Sequence, residues 1–153
     1  MTASDITEPL DHQRVAARLR RLPTRLLSLA ATRSDRRVHE ELTRADARKW
    51  HYAALATLEE FGPASQAELS SRTGIYRSDL VTVINELAER GLVERSPNPA
   101  DRRQNVVIVT GEGRRRLLEL EKLLTGVEKE VLAPLTAAER EQLTQLLAKL
   151  VYA

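Results

Sequence analysis

The chain contains no cysteine. That removes a disulfide scaffold, a thiolate metal site and direct thiol redox sensing together. It also lacks any apolar run of about eighteen residues and any basic-then-apolar leader, so neither a membrane span nor a signal peptide is expected, and the cytoplasm is the expected location. Its three histidines, His12, His39 and His51, are scattered without metal-ligand spacing. There is no glycine-rich phosphate loop and no serine or carboxylate constellation with a base in reach. No enzyme activity, metal or cofactor is therefore expected. A large charge excess is missing too: the formal net charge is +2 despite a pI near 9.2, so net charge alone does not announce a polyanionic partner.

What is present is 153 residues, 30% charged and 42% hydrophobic, enough for one domain with a real core, or for one small domain plus helical extensions. Charge distribution says more than its sum. Between residues 65 and 116 the nine cationic side chains are all arginine, the side chain suited to phosphates and guanine edges.

Periodicity lays out the elements. Residues 1–9 show none and are expected to be a flexible N-terminus. Val15, Leu19, Leu22, Leu26 and Leu29 form one helical stripe, which Pro23 should kink or restart. A basic, polar stretch leads to Thr43, which stands three residues before Asp46 as an expected helix start. In "KWHYAALATLEEFGP" Trp50, Ala54, Leu58 and Phe61 fall on one face, and Gly62-Pro63 stops the helix. Ser65 with Glu68 reads as a capping box for a short helix that Gly74 ends in a tight turn. A further helix from about Arg77 to Arg90 has its apolar stripe at Leu80, Val83, Ile84 and Leu87, and Gly91 closes it.

Two short helices joined by a glycine turn outline a helix-turn-helix. "LVER", a turn and "NVVIV" add a β-hairpin. Thr110 then caps a long helix striped with Leu117, Leu120, Leu124, Val127 and Val131, which Pro134 breaks. Thr136 and Glu139 cap a last helix carrying Leu143, Leu146, Leu147 and Leu150. The expected fold is mainly α with a small β-hairpin wing (α+β): a winged helix-turn-helix over residues 46–110, flanked by N-terminal (10–45) and C-terminal (111–153) dimerisation helices. The outer leucine faces exceed what the small central module can cover, which favours a symmetric homodimer.

Removing the core stripe from the 77–90 helix leaves Arg77, Ser78, Val81, Thr82 and Asn85 outward. These types suit a major groove: arginine forks to guanine, asparagine to adenine, hydroxyls reach phosphate or base, and valine meets a thymine methyl. The bland alternative is an ordinary polar surface face. Asp79 fits the first turn of the helix, where an acid is stabilising. At the hairpin tip "PNPADRRQ" presents Arg102 and Arg103, placed to enter a minor groove. Asp101 is expected to hold the turn and an arginine. The alternative there is a solvated loop with incidental charge.

The stretch "IYRSDLVTVINELAERGLVERSPNPADRRQNVVIVTGEGRRRL" closely resembles the recognition helix and wing of the MarR family of bacterial transcriptional regulators. The resemblance rests on an Asp-x-Arg wing tip (Asp101, Arg103), an apolar strand (Val106–Val109) and Thr-x-x-Gly (Thr110, Gly113). "LTRADARKWHYAALATLEEFGPASQAEL" is also similar to the family's preceding helix. The resemblance implies a homodimeric repressor on a palindromic operator in double-stranded DNA, with Arg77, Ser78, Thr82, Asp101 and Arg103 at the DNA. Asp79 departs from the small hydroxyl residue found in many members.

The resemblance also implies release of DNA by a small aromatic anion. The "KWHY" run offers Trp50, His51 and Tyr52 for such a ligand; alternatively Trp50 is core and His51 a solvated helix residue. Arg18 or Arg25 would meet a carboxylate, and spacing selects neither. The competing function is a winged helix used as a protein-interaction module without specific DNA binding.

Overall fold

The computed structural model describes residues 10–152, so the expectation for residues 1–9 lies outside the described residues. Helices α1 (Ala17–Arg20), α2 (Pro23–Arg44), α3 (Lys49–Phe61), α4 (Gln66–Thr73) and α5 (Arg77–Glu89) come first. Strands β1 (Val93–Pro97) and β2 (Asn105–Val109) follow, then α6 (Gly111–Val131) and α7 (Ala137–Val151). The chain is thus mainly helical with one antiparallel hairpin. The described residues divide into two compact units, one of residues 41–125 and one of residues 10–40 together with 126–152.

In the 41–125 unit, local chemistry sets each boundary. Ser65 caps α4, its Oγ accepting the Glu68 N–H at 3.1 Å. Gly74 ends the helix in the left-handed region at φ 74°, and its N–H returns to the Ser70 carbonyl; a side chain there would be strained. In α5 all four expected stripe residues, Leu80, Val83, Ile84 and Leu87, are fully buried. Each contributes up to about 2 kcal/mol of burial free energy. That anchoring holds the opposite face of α5 outward. Helix α3 packs on α4 and α5, α5 packs on β1, and α3 packs on β2.

The hairpin runs in register from Val93 opposite Val109 to Pro97 opposite Asn105. The far edge of β2 is also covered: Ala64 N–H donates to the Val107 carbonyl at 3.1 Å, and Val107 N–H donates back at 2.7 Å. With β1 along one side and this bridge at Val107 on the other, β2 is anchored at the root of the wing.

Three local expectations need correction. No helix starts at Thr43. Helix α2 runs through the basic stretch to Arg44, supported by the i,i+3 pairs Arg37–Glu40 at 2.6 Å and Arg44–Glu41 at 2.8 Å,. Asp46 instead sits at φ 56° in the turn, and α3 starts at Lys49. Its buried face is His51, Ala54, Leu55 and Leu58, a rotation away from the expected Trp50/Phe61 face. Trp50 is only half-buried and Phe61 is exposed, with the Arg72 guanidinium 4.5 Å from the Phe61 ring centre. Finally, His51 is neither solvated nor on the surface; it is 3% exposed.

In the other unit α1 stops before Pro23 and α2 restarts there, as the missing proline N–H requires,. The Arg37 guanidinium pairs with Glu130 at 2.8 Å. Thr136 and Glu139 complete the reciprocal capping box that opens α7,. Leu19, Leu22, Leu26 and Leu27, and on α7 Leu146, Leu147 and Leu150, are exposed.

Candidate nucleic-acid interface

Helix α5 displays Arg77, Ser78, Val81, Thr82 and Asn85 on its exposed side. Asp79 is half-buried in the first turn, where its charge complements the partial positive charge of the helix start. The residue ahead of Arg77, Tyr76, is the N-cap and is 80% exposed.

The wing tip is ordered by its own hydrogen bonds. Asn98 N–H donates to the Gln104 carbonyl at 2.8 Å and Gln104 N–H to the Asp101 carbonyl at 3.0 Å. Ala100 N–H donates to Asn98 Oδ1 at 3.0 Å, and Arg103 N–H to Asp101 Oδ1 at 3.1 Å. Asp101 therefore fixes the backbone of Arg103, in line with the role expected of it. Its contact with the Arg103 side chain is looser, 3.8 Å, and that side chain is 95% exposed. Such a pair contributes about 0–1 kcal/mol to stability. Arg102 is exposed beside it. The loop spends its bonds on itself and leaves both guanidinium groups in solvent.

The base of the wing is held by Thr110 and Gly113. Thr110 Oγ1 donates to the Gly91 carbonyl at 2.7 Å and accepts the Gly113 N–H at 3.0 Å. Gly113 lies so close to the Leu92 carbonyl that a Cβ would meet its oxygen at 2.1 Å and Val109 Cγ2 at 2.8 Å. Thr-x-x-Gly is thus a splice: hydroxyl and missing side chain together let α6 start against the link between α5 and β1.

A family model described as the MarR family matches residues 42–104. A probable transcriptional regulator from Pseudomonas aeruginosa is 30% identical, with a TM-score of 0.75 over 85% of this chain and 97% of its own. The chain belongs to the MarR family. MarR from E. coli, as a serine-for-cysteine mutant complexed with operator DNA, is 26% identical, with a TM-score of 0.72 over 83% of this chain and 91% of its own. BpsR from Bordetella bronchiseptica, whose DNA binding is regulated by 6-hydroxynicotinic acid, shares the fold at 24% identity, with a TM-score of 0.77 over 95% and 99% of the two chains.

In this MarR-family chain the "KWHY" residues take three different places. Trp50 is half-buried, with the Arg48 guanidinium 5.7 Å from its ring centre. Tyr52 is half-buried and its hydroxyl donates to Glu121 Oε1 at 3.4 Å. His51 belongs to the interior. Its Nδ1 accepts the Arg48 N–H at 3.2 Å, and its Nε2 lies 2.6 Å from Glu86 Oε2. Because a backbone N–H only donates, the neutral ring carries its proton on Nε2 and donates it to Glu86. Both ring nitrogens are thereby engaged, leaving neither for a ligand.

Arg48 Nη2 also reaches both Glu86 oxygens, at 2.7 and 2.9 Å. Burial holds the His51 imidazole below its ordinary value, against the opposing hydrogen bond and charge of Glu86,. The His51 hydrogen bond leads in holding the Glu86 carboxyl below the usual carboxylate range; partial burial opposes it and the Arg48 contacts add to it. This trio fastens the start of α3 to α5 beside the outward Asn85, and sequence reasoning missed it. The one local signal was a histidine three residues after an N-cap position, the spacing of a capping box.

Among the described residues, no three His, Cys, Asp or Glu side chains come together as a metal site. No described helix is long and apolar enough to cross a membrane.

Proposed function

We propose that this chain is a homodimeric, sequence-specific DNA-binding transcriptional repressor acting in the cytoplasm, with no catalytic activity of its own. The observation that carries the reading is a pair of features within one compact unit. One is a helix face of Arg77, Ser78, Val81, Thr82 and Asn85, exposed because four buried residues hold its opposite side. The other is a self-bonded wing tip that leaves the Arg103 side chain 95% exposed. Exposed guanidinium groups on a stiff hairpin suit a minor groove, and the helix face suits the major groove next to it. The operator-bound MarR structure supports the same assignment by likeness.

The exposed leucines of α1, α2 and α7 support the homodimer, since clusters of large apolar side chains left in water by one chain suit burial against a second,. A symmetric dimer would read a palindromic operator. Regulation of BpsR by 6-hydroxynicotinic acid supports a small aromatic anion as the releasing signal, with Trp50 and Tyr52 the remaining residues of the "KWHY" run able to meet it.

The test is fluorescence anisotropy of the purified protein on DNA flanking its own gene across a salt series. Several phosphate contacts displace counterions, so affinity should fall steeply with salt. A flat response, or equal affinity for unrelated duplex, would favour a winged-helix protein-interaction module.

A further inference from the structure

One side-chain hydrogen bond ties the wing to the outward face of α5: a guanidinium N–H of Arg95 on β1 donates to Asn85 Oδ1. Both residues are exposed. A guanidinium has donors and no acceptor, so the bond also fixes which end of the Asn85 amide faces the wing: the oxygen turns toward Arg95 and the NH₂ turns away. We propose that Arg95 is a specificity-determining residue, making Asn85 read the operator as a hydrogen-bond donor and select guanine over adenine. This rests on the reading of α5 as the recognition helix.

The chemistry follows from the base edges. Asparagine recognises adenine by using both ends of its amide, the oxygen accepting from N6 and the nitrogen donating to N7. Here Arg95 already occupies one of that oxygen's two lone pairs and turns it toward the wing, so the adenine amino group would have to reach the remaining lone pair beside the same positive charge,. Guanine presents two acceptors, O6 and N7, in the major groove. The Asn85 NH₂ and the adjoining guanidinium form a donor-only surface that matches them. Neither residue alone carries this preference; the pair does. Sequence could not show it, because Asn85 alone reads as an adenine ligand.

The experiment is binding of the full-length protein to an operator library randomised at each position, for the parent, Arg95→Met, Asn85→Ala and the double variant. Methionine keeps an apolar stem and removes the guanidinium. The parent should prefer guanine at one symmetry-related pair of positions. Arg95→Met should shift that preference toward adenine by on the order of tenfold, within the range for one bidentate base contact. Asn85→Ala should flatten the preference there, and adding Arg95→Met to it should change nothing further. Circular dichroism confirms that each variant is folded; Arg95→Gln, which can donate or accept, replaces Arg95→Met if needed and should relax the preference. Two results would overturn the inference: a uniform loss of affinity with unchanged base preference, which makes Arg95 a phosphate contact only, or an adenine preference in the parent. A parent with no sequence-dependent binding at all refutes the regulator reading itself, and this inference with it.

Discussion

Gly113→Ala is a sharp test of how the wing is attached. The added Cβ would lie 2.1 Å from the Leu92 carbonyl oxygen and 2.8 Å from Val109 Cγ2. Restoring ordinary contact requires the backbone at Leu92 to retreat by roughly 1 Å, a shift no rotamer change can supply. Leu92 is held on both sides: its N–H donates to the Leu87 carbonyl at 2.9 Å and its carbonyl accepts the Thr110 N–H at 3.1 Å. Overpacking of this kind costs about 1–3 kcal/mol, and weakening the Thr110 bond adds about 1 kcal/mol. Alanine's better helix propensity returns about 1 kcal/mol. The net expectation is a loss of about 2 kcal/mol.

Gly126→Ala supplies the control in the same helix, because its Cβ would meet nothing within 4 Å. That variant should gain about 0.5–1 kcal/mol from propensity alone. Urea denaturation of the three proteins at one protein concentration measures both differences. If Gly113→Ala equals or exceeds the parent in stability while Gly126→Ala behaves as expected, the close approach at Leu92 is not a constraint, and the account of Thr-x-x-Gly is wrong.

Other expectations concern DNA, assembly and pH. Arg103→Ala should leave stability within about 0.5 kcal/mol, since it removes no packing and only a weak exposed pair,. Operator affinity, measured by anisotropy, should fall by about 1–3 kcal/mol per subunit; unchanged affinity would remove the wing from the interface. Leu146→Glu changes an exposed residue, so a monomer should keep its fold while the dimer is lost, at about 2–3 kcal/mol for two copies; sedimentation showing an intact dimer would place the subunit interface elsewhere. For His51, the folded state binds fewer protons than the unfolded state between its lowered value and the ordinary 6.5. Stability is therefore full above about pH 6.5 and falls as pH drops below it. Glu86 adds a loss only lower, below its ordinary 4.5, as pH falls through its depressed value. Urea midpoints between pH 7.5 and 5.5 should show this slope in the parent and a flatter one in His51→Gln; equal slopes would acquit the histidine.

The sequence by itself determined whatever depends on near neighbours along the chain. The caps at Ser65 and Thr136, the restart at Pro23, the turn at Gly74 and the core stripe of α5 were legible because each involves residues only a few positions apart, where helix geometry fixes who meets whom. The outward face of α5 followed by subtracting that stripe, and the arginines of the wing from the turn residues around them. Tertiary structure alone decided the contacts between elements. Which face α3 buries depended on the partners that arrived, so Leu55 and His51 entered and Phe61 stayed out. The His51–Glu86 bond spans 35 residues, and the Arg95–Asn85 bond and the seat of Gly113 against Leu92 likewise join separate elements. No periodicity encodes such pairs, because they exist only once hydrophobic burial has brought the helices and hairpin together.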